Sequence, residues 1–182
     1  MGDIVYIILA VVLLIILIII AEYNKMIRLQ NKVKQYASGI DISLNKRFDL
    51  IPNLVECIKS YTKYEGETLE NIIEKRNHYN QTKGLNVKEA NEINNDLNKL
   101  IAVAENYPDL KANTQYMSLN EKLSSIEDEI EVARKIYNSC VTDYNTKIET
   151  VPSNLISGIF GFKKARLFEI AEKKKDDFTI NM

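Results

Sequence analysis

The side chains with the most reactive chemistry in this sequence are two cysteines and one histidine. Cys57 and Cys140 form neither a Cys-x-x-Cys pair nor a metal-ligand spacing, and they suit a reducing compartment. His78 follows Cys57 by 21 residues, about 31 Å if one helix holds both, which excludes a Cys-His dyad within that helix. We therefore interpret His78 as a solvated residue near a helix end and the cysteines as small buried hydrophobes. We expect no catalytic residue, metal or cofactor.

The charged and glycine-containing motifs also lack a reactive arrangement. The four carboxylates in 127–131 occupy polar positions beside an apolar heptad and predict a solvated, charged helix face. The segment GIFGF at 158–162 lacks the Lys-Ser/Thr pair that holds phosphate and magnesium in a P-loop. Lys46 and Arg47 stand close to Asp49, a spacing that favours local ion pairing. An enzyme is therefore the least supported class of function.

Helices with a heptad repeat must position these side chains. The clearest series steps by three and four residues and consists of Tyr116, Leu119, Leu123, Ile126, Ile130, Ala133, Tyr137, Cys140 and Tyr144. Such spacing predicts helices from Ile4 to about Phe48, from Leu50 to about Lys83, from Val87 to Tyr107, and from about Thr114 to Lys147. We expect an all-α fold in which an N-terminal transmembrane helix continues into an antiparallel, left-handed four-helix bundle.

Turn residues mark the ends of the predicted helices. Asp49 can cap the second helix, and Pro52 fits its first turn because the N–H that proline lacks has no intrahelical acceptor there. A kinked continuous helix is the less favoured alternative. Gly84 can supply the left-handed position after the second helix, and Asn86, with glutamate three residues on, resembles a capping box. Pro108 ends the third helix, and the Asn-Thr pair at 113–114 can open the fourth.

The unbroken apolar run at 4–21 is long enough to cross the ~30 Å hydrocarbon layer of a membrane. A cleaved signal peptide fits less well, because the run is long, no Lys or Arg precedes it, and no Ala-x-Ala site follows. The cations that follow the run are Lys25, Arg28, Lys32 and Lys34. By the positive-inside rule we expect 1–3 to be a short non-cytoplasmic tail, 4–21 a single-pass span of the cell membrane, and the bundle at 22–150 cytoplasmic.

The remaining segment, 151–182, is an apolar Gly/Phe stretch with a basic tail. If the helices alternate in direction, this segment lies at the membrane-proximal end of the bundle. Two interpretations stay open. Either its rings enter the membrane interface while Lys163, Lys164 and Arg166 contact anionic headgroups, or the segment plugs the open end of the bundle. The glycines weaken a free helix, which favours the plug.

Four ordered motifs resemble the LemA family of single-pass bacterial membrane proteins: IDISLNKRFDLIPNLVECIKSYTKYEGETLENIIEKRN, YPDLKANTQYMSLNEKL, ARKIYNSCVTDYN and VPSNLISGIFGFKKARLFE. The resemblance covers nearly the whole chain. It implies a helical bundle behind an N-terminal anchor, no established enzymatic activity, and relatives often encoded beside membrane metalloproteases or envelope repeat proteins. Tyr36, Ala37 and Ser38 depart from the family's usual Ala-Trp-Ser, and Lys164 and Arg166 replace common prolines, which makes this tail more basic.

We interpret the chain as a non-enzymatic, membrane-anchored scaffold or adaptor for protein–protein interaction at the membrane surface. Its 182 residues suit one domain plus an anchor, and a formal charge of −1 shows no bias towards nucleic acid. One alternative, which rests on the resemblance, is a regulator or substrate adaptor of a membrane metalloprotease or envelope-stress system. Another is a lipid-contacting, membrane-remodelling bundle.

The protein partners are unidentified, and self-association is a further option. The residues expected to shape turns or contact partners are Asp49, Pro52, Asn53, Tyr107, Pro108, Pro152, Asn154, Gly158, Phe160, Gly161 and Phe162.

Overall fold

The computed structural model of the chain describes residues 2–61, 66–82 and 84–168, with only the backbone for 66–68. All regular secondary structure in this part of the chain is α-helical. The helices are α1 Gly2–Phe48, α2 Ile51–Tyr61, α3 Gly66–Gln81, α4 Val87–Glu105, α5 Pro108–Lys111, α6 Thr114–Glu149 and α7 Ser153–Phe160.

The helix bounds confirm the predicted all-α class and three of the four predicted helices. The segment predicted as one second helix contains two helices, α2 and α3, instead. These two helices contact each other, which the two halves of one straight helix could not do. The apolar spacing lapses between Ile58 and Leu69, and Gly66, a poor helix former, stands in that gap. The short helices α5 and α7 were not predicted, and the antiparallel, left-handed bundle arrangement remains a prediction.

The described residues fall into two compact units. Unit 1 comprises 2–36 with 135–167, and unit 2 comprises 37–134 with Phe168. The core of unit 1 combines α1, α6 and α7 and consists of Met26, Val33, Val141, Tyr144, Ile148 and Ile156. The residues from α1 are seven apart and those from α6 three and four apart, so each helix turns one stripe towards this core.

The first part of α1 lies outside that core. Its side chains from Ile4 to Ile18 are exposed, and α1 contains a stretch long and apolar enough to cross a membrane, no part of which is buried within the protein. An uncovered apolar helix of this length fits a single-pass membrane anchor.

Unit 2 has its own core, in which Phe48 at the end of α1 contacts Tyr79 of α3. The two ring centroids are 5.2 Å apart and the rings meet edge to face. The Tyr79 hydroxyl donates a hydrogen bond to Asp41 Oδ1 at 2.8 Å. Burial, and then this carboxylate, raise the pKa of Tyr79 well above its ordinary value, so the hydroxyl stays a donor.

The predicted helix ends are largely confirmed. Asn86 Oδ1 accepts a hydrogen bond at 3.3 Å from the backbone N–H three residues on and so caps α4. Asn113 Oδ1 accepts two such bonds, at 2.8 and 3.1 Å, from the N–H groups two and three residues on, at the start of α6. Pro52 lies in the first turn of α2, and Gly84 has the left-handed φ of 90°.

A carboxylate of α4 links two helices of unit 2. Asp96 accepts hydrogen bonds from Lys75 of α3 at 2.6 Å and from Lys99 at 2.9 Å. Burial raises the pKa of Asp96, but the two lysines outweigh burial and hold the pKa below its ordinary value. Since the folded-state pKa is lowered, the stabilisation is complete above about pH 4 and is lost as the pH falls through the lowered pKa.

We expect Asp96→Asn to lower the free energy of unfolding by about 1–2 kcal/mol at neutral pH. The deficit relative to the wild type should shrink below about pH 4. Circular dichroism of the full chain during unfolding in detergent micelles, at neutral pH and at about pH 3, measures both values. Asp128→Asn removes an exposed carboxylate and is the control. A deficit that is the same at both pH values would contradict the role assigned to Asp96.

Candidate functional sites

The clearest exposed feature of unit 1 is one side of α7. The buried side of this helix is formed by Ser153, Ile156 and Ser157. The opposite side is apolar and exposed and consists, with the residue two positions before the helix, of Val151, Leu155 and Ile159, hereafter the α7 surface. Leu155 is 67% exposed and Ile159 is 79% exposed. These side chains form an apolar surface that the rest of unit 1 does not cover.

Polar contacts with Glu22 hold α7 beside the end of the apolar run in α1. Ser153 Oγ donates a hydrogen bond to Glu22 Oε2 at 2.9 Å, and Lys147 Nζ lies 2.5 Å from the same oxygen. The hydrogen bond from Lys147, followed by that from Ser153, holds the pKa of Glu22 below its ordinary value. Because Glu22 directly follows the run at 4–21, α7 begins beside the residue at which the candidate span ends.

Aromatic contacts fix the other end of α7 to α1. The ring centroid of Tyr23 lies 4.9 Å from that of Phe160 and 5.7 Å from that of Phe162. Between the two phenylalanines, Gly161 has a left-handed φ of 73°, and its N–H donates to the carbonyl of Ser157. This helix ending favours glycine, because other residues adopt that φ only with strain.

After α7 the chain lies along α6. The Tyr144 hydroxyl donates to the carbonyl of Lys163, and the Tyr137 hydroxyl donates to that of Arg166, each at 2.9 Å. Asn145 exchanges two further hydrogen bonds of 2.9 Å with the backbone between them. Since Tyr137 and Tyr144 are seven residues apart, their partners lie about 10 Å apart along α6.

The tail therefore has features of both interpretations made from the sequence. Ile156 and the half-buried Phe162 pack on the core of unit 1, as a plug would. The α7 surface stays exposed, as lipid contact requires. The cations Lys163, Lys164 and Arg166 are exposed but spread along α6 rather than gathered at one level, and Lys164 pairs with Glu149.

Unit 2 contains a polar cavity of about 290 Å³ with walls from α1, α4 and α6. This cavity, hereafter the Arg-Asn cavity, is lined by Arg47, Asn91, Asn94, Asn95, Asn98, Glu127 and Arg134. The two arginines are 7% and 8% exposed, respectively. A lining made only of polar and charged side chains suits a polar ligand better than an apolar one.

The carboxylate of Glu127 lies beside both guanidinium groups of the cavity. Arg47 Nη1 donates to Asn94 Oδ1 at 2.9 Å and also to Glu127 Oε2. Arg134 Nη1 lies 3.7 Å from the second carboxylate oxygen, Glu127 Oε1, and Arg134 Cζ lies 4.8 Å from the ring centroid of Phe168. Desolvation lowers the pKa of both arginines, and Glu127 opposes that shift.

These contacts show that the local ion pairing expected at the end of α1 was wrong. Arg47 enters the cavity, Lys46 Nζ lies 3.5 Å from Glu129, and Asp49 pairs with Arg76 of α3. Each partner comes from another helix, because packing brings α3 and α6 beside the end of α1. The carboxylates in 127–131 are therefore not all a solvated face.

The predicted partner-contact residues lie in both units. Asp49, Pro52 and Asn53 lie at the entry to α2, Tyr107 is the residue before α5, and Pro108 is the first residue of α5; these five belong to unit 2. The six in unit 1 lie on α7 or at its ends and are Pro152, Asn154, Gly158, Phe160, Gly161 and Phe162. Their role in partner contact remains a prediction.

The predicted reactive side chains are dispersed. His78 lies in the last turn of α3 with its side chain 68% exposed, which confirms a solvated residue near a helix end. Cys57 is buried and Cys140 half-buried, both as free thiols. Within 2–61, 66–82 and 84–168, no three His, Cys, Asp or Glu side chains are grouped as a metal ion would need.

Sequence reasoning missed the asparagines of the cavity. They occur at 91, 94, 95 and 98, the spacing that places residues on one face of a helix. Asparagine is a poor helix former, so four asparagines on one side of a helix could have indicated that this side forms a polar site. Arg134 carried no such signal, because an arginine between heptad positions is normally solvated.

Comparison with known proteins gives matches over most of the chain. The sequence model of the LemA family matches residues 36–181. Protein LemA of Metamycoplasma hominis is 27% identical over 157 residues, which cover 85% of this chain and 72% of the relative. Magnetosome protein MamQ 2 of Paramagnetospirillum magneticum is 25% identical over 195 residues, with 89% and 69% covered. Magnetosome protein MamQ of Magnetospirillum gryphiswaldense is 23% identical over 190 residues, again with 89% and 69% covered.

Proposed function

Since this chain belongs to the LemA family, we propose that it is a non-enzymatic scaffold or adaptor, tethered by α1 and held to the bilayer at a second point by the α7 surface. The observation that carries the second attachment is the position of α7, whose ends contact Glu22 and Tyr23 directly after the apolar run. An apolar helix face at the end of a membrane span lies within reach of the interface, where burial of its side chains is favourable.

Two attachments would give the adaptor a fixed orientation on the membrane. A single span leaves a protein free to rotate and tilt, whereas a second contact beside it restricts both motions. Protein partners would then meet the same side of the molecule each time. In this proposal residues 1–3 lie outside and the residues after the span lie in the cytoplasm, an orientation supported by Lys25, Arg28, Lys32 and Lys34.

The bilayer contact can be tested with a unique fluorophore, because the chain contains no tryptophan. We expect the emission of Ile159→Trp in the full chain, reconstituted in liposomes, to be strongly quenched by brominated lipid. Ile8→Trp within the span is the positive control. Ser139→Trp, exposed on α6 about 15 Å before its end, is the matched negative control. Quenching of Ile159→Trp no greater than that of Ser139→Trp would refute the second attachment.

The orientation has its own test in intact cells. In a Cys57→Ser, Cys140→Ser background, a membrane-impermeant thiol reagent should label Asp3→Cys and leave the exposed position of Asp128→Cys unlabelled. The reverse pattern would place the residues after the span outside the cell and direct the search for partners to the envelope.

A further inference from the structure

The Arg-Asn cavity of unit 2 carries an inference that is independent of the proposed membrane attachment. It holds two buried guanidinium groups, Arg47 and Arg134, and a single carboxylate, Glu127. The formal charge of this triad is +1, and the carboxylate of Glu131, outside the lining, offsets part of it at Arg134. Excess buried positive charge is unfavourable, and a small anion in the cavity would offset the remainder.

The free hydrogen-bonding capacity of the two arginines points to the same ligand. Among the described residues, Nε of Arg47 and Nε of Arg134 are buried and have no hydrogen-bond partner. Glu127 accepts a hydrogen bond from Arg47, whereas its oxygen nearest Arg134 is 3.7 Å away, beyond hydrogen-bond distance. The Nη groups of Arg134 are therefore the donors for a second acceptor such as a carboxylate or phosphate oxygen, because the buried Nε has almost no accessible surface.

The asparagines complete the donor set. Asn94 already binds Arg47 through its oxygen, which leaves its side-chain NH₂ as a donor. Asn91, Asn95 and Asn98 add three more amides along the same wall. A cavity of about 290 Å³ is at the lower end of the range for small-ligand sites.

We propose that the Arg-Asn cavity binds a small oxyanion, a carboxylate or phosphate group, between the guanidinium of Arg134 and the asparagine amides of α4. A cation is disfavoured, because the one carboxylate present already pairs with Arg47. An apolar ligand is disfavoured by the polar lining.

Titration calorimetry on the full chain in nonionic detergent tests this with inorganic phosphate and with succinate, each against chloride at equal ionic strength. We expect saturable binding of at least one of the two anions at one site per chain. Binding of phosphate alone or of succinate alone would identify the group that the cavity prefers. The absence of saturable heat with both anions would overturn the proposal.

A matched pair of variants locates the site without removing a buried arginine. Asn98→Asp places a negative charge at an exposed position of the lining, and we expect it to weaken anion binding about tenfold or more. Asn120→Asp makes the same charge change at an exposed position of α6 outside the lining and should leave the affinity within about twofold of the wild type. Equal weakening by the two variants would show a general charge effect and would also overturn the proposal.

Discussion

Replacement of Tyr144 by alanine is expected to lower the free energy of unfolding by about 3–5 kcal/mol, the cost of deleting a large buried ring. Tyr144 is 1% exposed and lies among the α1 and α7 side chains that form the core of unit 1. Its hydroxyl also holds the carbonyl of Lys163. The variant should therefore lose core packing and release the segment that follows α7.

Two measurements separate these effects. Thermal unfolding in detergent micelles reports the loss of stability, and limited trypsin digestion reports the release, as faster cleavage after Lys163, Lys164 or Arg166. Tyr144→Phe is the matched control, because it keeps the ring and removes only the hydrogen bond, at a cost of about 1 kcal/mol. If Tyr144→Ala costs no more than Tyr144→Phe, the ring does not hold α6 to α1 and α7 as described.

Glu127→Gln is expected to lower the free energy of unfolding by about 2–3 kcal/mol. Removing one partner of a fully buried ion pair typically costs about 3–5 kcal/mol, because the other charge is left unpaired. Here the side chain of Glu127 is 41% exposed, so solvent screening reduces the effect. The buried Arg47 loses its counter-charge, and Arg134, which Glu131 also attracts, loses part of its own, which keeps the cost well above that of a surface pair.

The control for Glu127 lies two residues along the same helix. Glu129 is 52% exposed and lies 3.5 Å from the exposed Lys46, so Glu129→Gln should cost about 0–0.5 kcal/mol. Both variants change the net charge equally, so a difference between their free energies of unfolding, measured by chemical denaturation of the full chain, reflects only the position of the lost carboxylate. Equal losses would mean that the arginines of the cavity do not depend on Glu127.

The elements that could be predicted from the sequence are those fixed by local chemistry. The turn residues Asp49 and Pro52 marked the end of α1 at Phe48, and the side chains of Asn86 and Asn113 marked the starts of α4 and α6 because each caps the backbone next to it. The separation of α2 from α3 was missed, since a lapse in apolar spacing is compatible with one frayed helix as well as with two.

The candidate sites were less predictable, because their contacts connect residues far apart in the chain. Arg47 was assigned to its sequence neighbour Asp49, yet its partners are Asn94 and Glu127, 47 and 80 residues away. Charge spacing reveals neighbours along one helix and says nothing about which helix packs beside it. The exposed side of α7 was better anticipated, since its apolar residues and the cations after it stand together in the sequence.

The hydrogen bond between Ser153 and Glu22 joins residues that are 131 positions apart, so it can form only after the later of the two has been synthesised. A ribosome produces the span and the stripe of Met26 and Val33 well before their packing partners at 141–156. The anchor can thus enter the membrane long before unit 1 can close, because domains gain long-range contacts only once both sides exist. Premature termination before residue 141 would leave an inserted anchor whose apolar stripe of Met26 and Val33 is uncovered. The anchor therefore acquires its partner helices only when translation continues through residues 141–156.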